Sequence, residues 1–173
     1  MLSFHKAELS DAAAIAELVN SAYRGEASRV GWTTEADLLN GLRITTSEVA
    51  TLIKRDDAFV LIGVLRDQVV ASIACERLEN TAKFGLIAVK PTLQNKAYGR
   101  EMIQAAEAIT LREWRVAGYF MAVITLRTEL IEFYERLGFE RSGQFEDFPV
   151  KPELWQPKVE ALALEYLVKM TRR

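Results

Sequence analysis

The sequence predicts an α+β domain with a mixed, mostly antiparallel central sheet of about seven strands flanked by helices. Three observations predict it. Apolar, β-rich runs at residues 59–65, 69–75 and 84–89 follow one another across short polar turns, the pattern of strands that pair as antiparallel neighbours. Segments with helical periodicity, after Tyr98 and after Thr128, each lead into a further β-rich run. The 173 residues contain no internal repeat, low-complexity tract or dividing linker, so residues 1–173 are expected to form one domain.

In chain order, residues 2–7 read as a first strand. Ser10 or Asp11 is placed to cap a helix running to about Arg24, with Ile15, Leu18, Val19 and Ala22 on one face. Residues 25–34 hold two glycines and read as a loop, after which Thr34 is expected to cap a short helix through Leu42. Thr45 and Glu48 have capping-box spacing before a helix through Ile53. Arg66, Asp67 and Gln68 join two β runs as a hairpin, and a polar turn near Asn80 precedes the third. A helix from about Tyr98 to Val116 would bury Met102, Ile103, Ala106 and Ile109, with Gly118 ending it. Residues 119–126 form a strand whose MAVIT stretch suits a buried sheet. Thr128 caps a helix through Leu137, and Gly138 stops it. Residues 139–145 are a strand, 147–158 a loop with three prolines, and 159–168 the last strand.

Composition narrows the partners. Lys and Arg total 22 against 24 Asp and Glu, a formal net charge of −2, so no basic excess marks a broad nucleic-acid surface. No apolar run approaches the ~20 residues that span a bilayer. The N-terminus lacks a basic segment followed by a long apolar one. A cytoplasmic protein with no nucleic-acid or membrane partner is therefore expected. Cys75 is the single cysteine and His5 the single histidine, which excludes an intrachain disulfide and a multi-histidine metal site; no metal is expected.

The chemistry starts at residues 89–102, VKPTLQNKAYGREM. A strand, a short polar loop and a helix in succession present unpaired backbone N–H groups to an anion, and the helix dipole favours negative charge there. Residues 94–100 include no proline, so each keeps its N–H. Lys96 and Arg100 add basic side chains at a helix start, where they oppose the dipole unless an anion is bound.

Two further features turn this signal into a family resemblance. Gln94-Asn95-Lys96-Ala97-Tyr98-Gly99 is close to a Q/R-x-x-G-x-G/A loop, preceded by Val-x-Pro. Forty residues beyond Gln94, Phe133-Tyr134-Glu135-Arg136-Leu137-Gly138-Phe139 looks like a Y-E-x-x-G-F element. With the order of strands and helices, the chain resembles the GNAT superfamily of N-acetyltransferases over essentially its full length. The strings SAYRGE and GWTTEADLL are similar to those of bacterial members of unassigned substrate.

The resemblance implies acetyl-CoA as co-substrate, bound by Gln94, Asn95, Lys96, Ala97, Tyr98, Gly99 and Arg100 at the pyrophosphate. It implies that Leu86, Ile87, Ala88 and Val89 pair through backbone groups with the pantetheine arm. Ala97 stands at a glycine position and fits if its φ is negative. Arg127 lies seven residues before Tyr134, where many members carry a cofactor-facing asparagine; an arginine there is placed to reach a phosphate. Tyr134 is implied as general acid to the departing thiolate, against the alternative of a core tyrosine beside Ile131 and Phe133.

The general base is less defined. Glu76, at the end of the run 69–75, is the leading candidate, beside the plainer reading of an exposed carboxylate near Arg77. Glu26, Glu35 and a water relay are the other options. The acceptor is expected between residues 23–35 and 145–155, with Arg24 and Arg29 for a carboxylate, Trp32 for stacking, Glu26 for an ammonium, and Glu35 beside them.

The expected function is acetyl transfer to a primary amine of a small molecule by direct attack, with a homodimer left open. A mid-sheet Cys75 suits a buried hydrophobe better than a nucleophile. Two other readings stand beside it: an acyl-CoA-binding module without catalysis, and an enzyme directed at a histone or ribosomal protein.

Overall fold

The computed structural model describes residues 1–172. Its elements are β1 (Ser3–Lys6), α1 (Ala12–Tyr23), β2 (Leu39–Gly41), α2 (Thr46–Ile53), β3 (Ala58–Leu65), β4 (Gln68–Leu78), β5 (Thr81–Val89), α3 (Tyr98–Trp114), β6 (Gly118–Ile124), α4 (Thr128–Arg136), β7 (Glu140–Asp147), β8 (Trp155–Pro157) and β9 (Ala163–Met170), with 3-10 turns at Leu9–Asp11, Glu26–Val30 and Pro91–Leu93. A seven-stranded sheet runs β1-β3-β4-β5-β6-β9-β7, and β2 pairs with β8 in a separate ribbon. All neighbours in the large sheet are antiparallel except β5 and β6.

Local chemistry explains the central meander. Arg66 and Asp67 both adopt left-handed dihedrals, φ +50° and +62°, and Leu65 pairs with Gln68. That is a two-residue hairpin whose twist matches its strands. Glu79 at φ +52° makes the next turn, and Leu78 pairs with Thr81.

Both faces of the sheet are covered, which is why β3 reads as a continuous apolar run. Phe59 and Leu61 join Ile73, Phe84, Met102, Ile103, Met121 and Ile131 in a core under α3 and α4. Val60 and Ile62 point the other way, into a core with Ile15, Val19, Val49 and Leu52 of α1 and α2. The period of two along β3 divides the cores.

Thr45 and Glu48 form their capping box, with Glu48 N–H donating to Thr45 Oγ1 at 3.2 Å and Thr45 N–H to the Glu48 carboxylate at 2.9 Å. Asp11 caps differently from expectation: its carboxylate accepts from Glu8 N–H at 2.8 Å, closing the 3-10 turn before α1. Arg115, at φ +53°, ends α3, so Gly118 opens β6 instead of stopping the helix. Thr128 is the first residue of α4, not its cap.

The short helix expected over residues 34–42 does not form. Lys158 donates its backbone N–H to Leu38 C=O and its Nζ to Ala36 C=O, while Leu39, Asn40 and Gly41 pair with β8. An isolated helix of this length is marginal, and tertiary pairing wins. β8 lies inside the segment expected to be a loop. Among the described residues no helix is long and apolar enough to cross a membrane.

Candidate active site

The parallel pair β5 and β6 is joined at one end only, from Thr81 opposite Gly118 to Lys83 opposite Phe120. Beyond it β6 stays with β9, while β5 follows β4 with a register shift near Ser72 and Leu86 at φ +47°. The two strands therefore part, and two cavities open along the split. The first, ≈ 340 Å³, lies between the end of β5, the start of α3 and α4. The second, ≈ 220 Å³, lies between β5, β6 and the segment around Trp155. Tyr23, Ile87, Leu130 and Tyr134 line both, so they form the wall where the cavities meet.

One end of the first cavity is lined by the loop before α3 and the first turn of that helix. Asn95 and Ala97 take φ +64° and +65° between Gln94 and α3. Tyr98, Gly99 and Arg100 open the helix, where N–H groups have no intrahelical acceptor. Alternating left-handed residues before a helix turn successive N–H groups toward one point. Arg100 of α3 and Arg136 of α4 add cationic side chains to the wall, and Glu129 and Glu132 of α4 add acidic ones.

The loop is held from behind by Gln94. Its Nε2 donates to Thr33 Oγ1 at 2.8 Å and to Val89 C=O at 3.1 Å, and its Oε1 accepts from Trp32 N–H at 2.8 Å. Gly31 permits this approach, since a Cβ there would lie 2.4 Å from Gln94 Oε1. Trp32 packs edge-on to Phe133 with ring centres 5.5 Å apart.

Tyr134 is buried, with the edges of Phe133 and Phe139 on its ring at centroid distances of 5.4 and 6.2 Å. Burial first, then the nearby Tyr23, pushes its phenol well above the usual value of 10, so it stays protonated. Tyr23 donates its hydroxyl hydrogen to Ile87 C=O, and Ser72 Oγ donates to Leu86 C=O at 2.8 Å. Burial, then Glu35, raises the Tyr23 phenol to about 12.

Glu35 sits beneath the second cavity between two guanidiniums. Arg24 Nε reaches its carboxylate at 3.2 Å and Arg127 Nη1 at 3.3 Å, and all three side chains are buried. Arg24 Nη1 also donates to Leu42 C=O and Arg127 Nη2 to Thr33 C=O. Burial pulls the Arg24 guanidinium below its ordinary value, against the opposing charge of Glu35.

A family model described as an acetyltransferase (GNAT) domain matches residues 55–141, just over half of the chain, including the loop, α3, β6 and α4. The chain belongs to the GNAT acetyltransferases.

Solved GNAT-type structures share the fold over the whole chain. The ribosomal-protein-S18-alanine N-acetyltransferase of Escherichia coli superposes with a TM-score of 0.73 at 14% identity, covering 100% of this chain and 96% of that one. An N-acetyltransferase of Staphylococcus aureus gives 0.73 at 15% identity over 98% and 97%. PaiA N-acetyltransferase of Thermoplasma acidophilum, in complex with coenzyme A, gives 0.69 at 15% identity over 99% of both chains. No curated protein matches significantly in sequence.

Within this GNAT domain the expected site residues divide. Ile87, Ala88, Val89, Gln94, Asn95, Ala97, Tyr98, Gly99 and Arg100 line the first cavity, whereas Leu86 lines the second and Lys96 is exposed outside both. Gln94 contributes mainly as the clamp described above. Ala97 does not meet the condition set for it: its φ is positive, so its methyl group carries the cost of a left-handed conformation, about 1–2 kcal/mol. Arg127 faces the second cavity and Glu35, not the loop before α3.

Arg24 and Glu35 line the second cavity, but Trp32 lines the first. Glu26 and Arg29 pair with each other in the exposed 3-10 turn and line neither, with Arg29 also reaching Asp37. Glu76 is likewise outside both. It sits opposite Lys83, where β5 and β6 are still joined, and pairs with Arg55 at 3.2 Å. Cys75 is fully buried, and burial pushes its thiol far up, which disables it as a nucleophile.

Arg43, Lys83 and Arg136 line the cavities without having been singled out from sequence. Arg43 follows the unforeseen β2, and Lys83 is a lone charge in an apolar strand. Neither carries a local motif.

Proposed function

We propose that this GNAT acetyltransferase moves the acetyl group of acetyl-CoA to the amine of a small molecule by direct attack. The observation that carries the proposal is the meeting of two cavities at Tyr134, one opening on the N–H groups at the start of α3 and one reaching the segment around Trp155. A donor with a phosphate-bearing tail and a separate acceptor need that arrangement.

The residues present fit coenzyme A. The N–H groups of residues 95–100 and the Arg100 side chain suit its pyrophosphate. The open edge of β5 beyond Lys83 leaves backbone groups for an amide-bearing arm. The coenzyme A complex of the Thermoplasma PaiA structure supports the same donor.

In the proposed reaction the amine nitrogen, deprotonated to water in the second cavity, bonds to the thioester carbon. The carbon–sulfur bond breaks as the tetrahedral centre collapses. Tyr134 donates its phenolic hydrogen toward the departing sulfur and regains a proton from solvent. A thiol has pKa about 8.5 and Tyr134 sits well above 10, so its hydrogen bond stabilises developing charge more than complete transfer does. Glu35, the one carboxylate lining the second cavity among the described residues, is committed to Arg24 and Arg127. A water relay is therefore the better proton acceptor.

A thiol-release assay over a panel of small primary amines tests this reading. Acetyl-CoA-dependent release that requires one of the amines is the expected result. Acetyl-CoA binding with no release on any amine, peptide N-termini included, would make the protein a binding module.

A further inference from the structure

We infer that the acceptor carries a carboxylate beside its amine, and that Arg43 and Lys83 receive that carboxylate in the second cavity. The inference rests on the acetyl-transfer reading and adds the substrate class to it.

Four cationic side chains line this cavity: Arg24, Arg43, Lys83 and Arg127. One carboxylate, Glu35, faces them, and its two oxygens are taken by Arg24 and Arg127. Arg43 and Lys83 are half-buried, and among the described residues neither has a carboxylate within ion-pair distance. They come from separate parts of the chain, the segment after β2 and the first residues of β5, yet open on the same space. Glu76, cross-strand from Lys83, pairs with Arg55 instead, so both cations are left to attract an anion that enters the space they line.

A second observation points the same way. Arg24 Nη2 is buried without any hydrogen-bond acceptor, the single such buried side-chain atom among the described residues. The wall therefore has excess donors and excess positive charge. The remainder of the cavity is apolar, with Phe148, Trp155, Val123 and Leu164 available to a hydrocarbon body. Its ≈ 220 Å³ suits a molecule of amino-acid size. The amine then lies toward Tyr134 and the carboxylate toward Arg43 and Lys83.

The test compares acetylation of leucine, 4-aminobutyrate and 6-aminohexanoate with leucinamide, butylamine and hexylamine. O-Phosphoethanolamine and ethanolamine form a further pair, and Arg43→Gln and Lys83→Gln are run beside the wild type. At least one carboxylated amine should exceed its neutral counterpart by about 10- to 100-fold in kcat/KM, the effect of charge-assisted hydrogen bonds. That ratio should fall toward 1 in both variants. Neutral amines acetylated as well as or better than every carboxylated partner would overturn the inference while leaving acetyl transfer intact. A larger gain for phosphate than for carboxylate would overturn the carboxylate assignment. Thermal stabilisation of the CoA-bound protein by the same acids is read independently of turnover. Stabilisation that requires Arg43 and Lys83, without turnover, would support the anion site and remove the transferase reading; absence of both would remove both.

Discussion

Tyr23 donates its hydroxyl hydrogen to the carbonyl oxygen of Ile87, and so ties the last residue of α1 to the strand that divides the two cavities. The bond is partly buried, and it holds a carbonyl on the part of β5 that has left β6. Tyr23→Phe leaves that carbonyl without this donor. A stability loss of about 1–2 kcal/mol in denaturant titration is expected. A loss below a few tenths would show that the bond contributes little.

The same residue predicts an alkaline instability. The Tyr23 phenol is raised to about 12 in the folded protein, by burial and then by Glu35, from 10 when unfolded. The folded state then binds more protons than the unfolded state between these values. Stability is complete below pH 10 and falls as pH rises toward 12. Melting temperature should decline over that interval, and Tyr23→Phe should lessen the slope.

Ala97 has a left-handed backbone, φ +65°, in the loop before α3. Glycine adopts this conformation without the steric penalty but is more flexible when unfolded. The first effect is larger. Ala97→Gly is expected to raise stability by about 0.5–1 kcal/mol, whereas Ala97→Val should lower it. Chemical denaturation of the three proteins checks the order.

Glu35 is the shared partner of Arg24 and Arg127, with all three side chains nearly inaccessible. Removing its charge leaves two buried guanidiniums facing each other. Glu35→Gln should cost about 3–5 kcal/mol, whereas Glu26→Gln, in the solvent-exposed pair with Arg29, should have little effect. Equal effects of the two substitutions in thermal unfolding would contradict the burial argument.

These residues also mark where sequence reading succeeds and stops. The β3–β4 hairpin was legible because Arg66 and Asp67 stand between two apolar runs, and the Thr45–Glu48 box because its partners are three residues apart. The succession of strand, loop and helix over residues 84–114 was legible because its parts are contiguous. Arg127 was assigned to a phosphate, yet its carboxylate partner lies 92 residues earlier in the chain. Glu76 was a reasonable base until Arg55 and the joined end of β5 and β6 were placed beside it. The β2–β8 ribbon was illegible for the same reason: three-residue strands acquire identity from a partner more than a hundred residues away. Local pattern specified elements, whereas the walls of the second cavity depend on distant contacts.

The central claim is that Tyr134, at the junction of the two cavities, assists departure of the thiolate. Steady-state turnover and acetyl-CoA affinity of Tyr134→Phe test it most directly, using the best amine from the panel. In this variant kcat is expected to fall about tenfold or more while the acetyl-CoA Kd stays within about twofold, because the phenylalanine ring keeps the packing with Phe133 and Phe139 and loses one donor. Unchanged kcat would contradict it and leave Tyr134 as a core tyrosine.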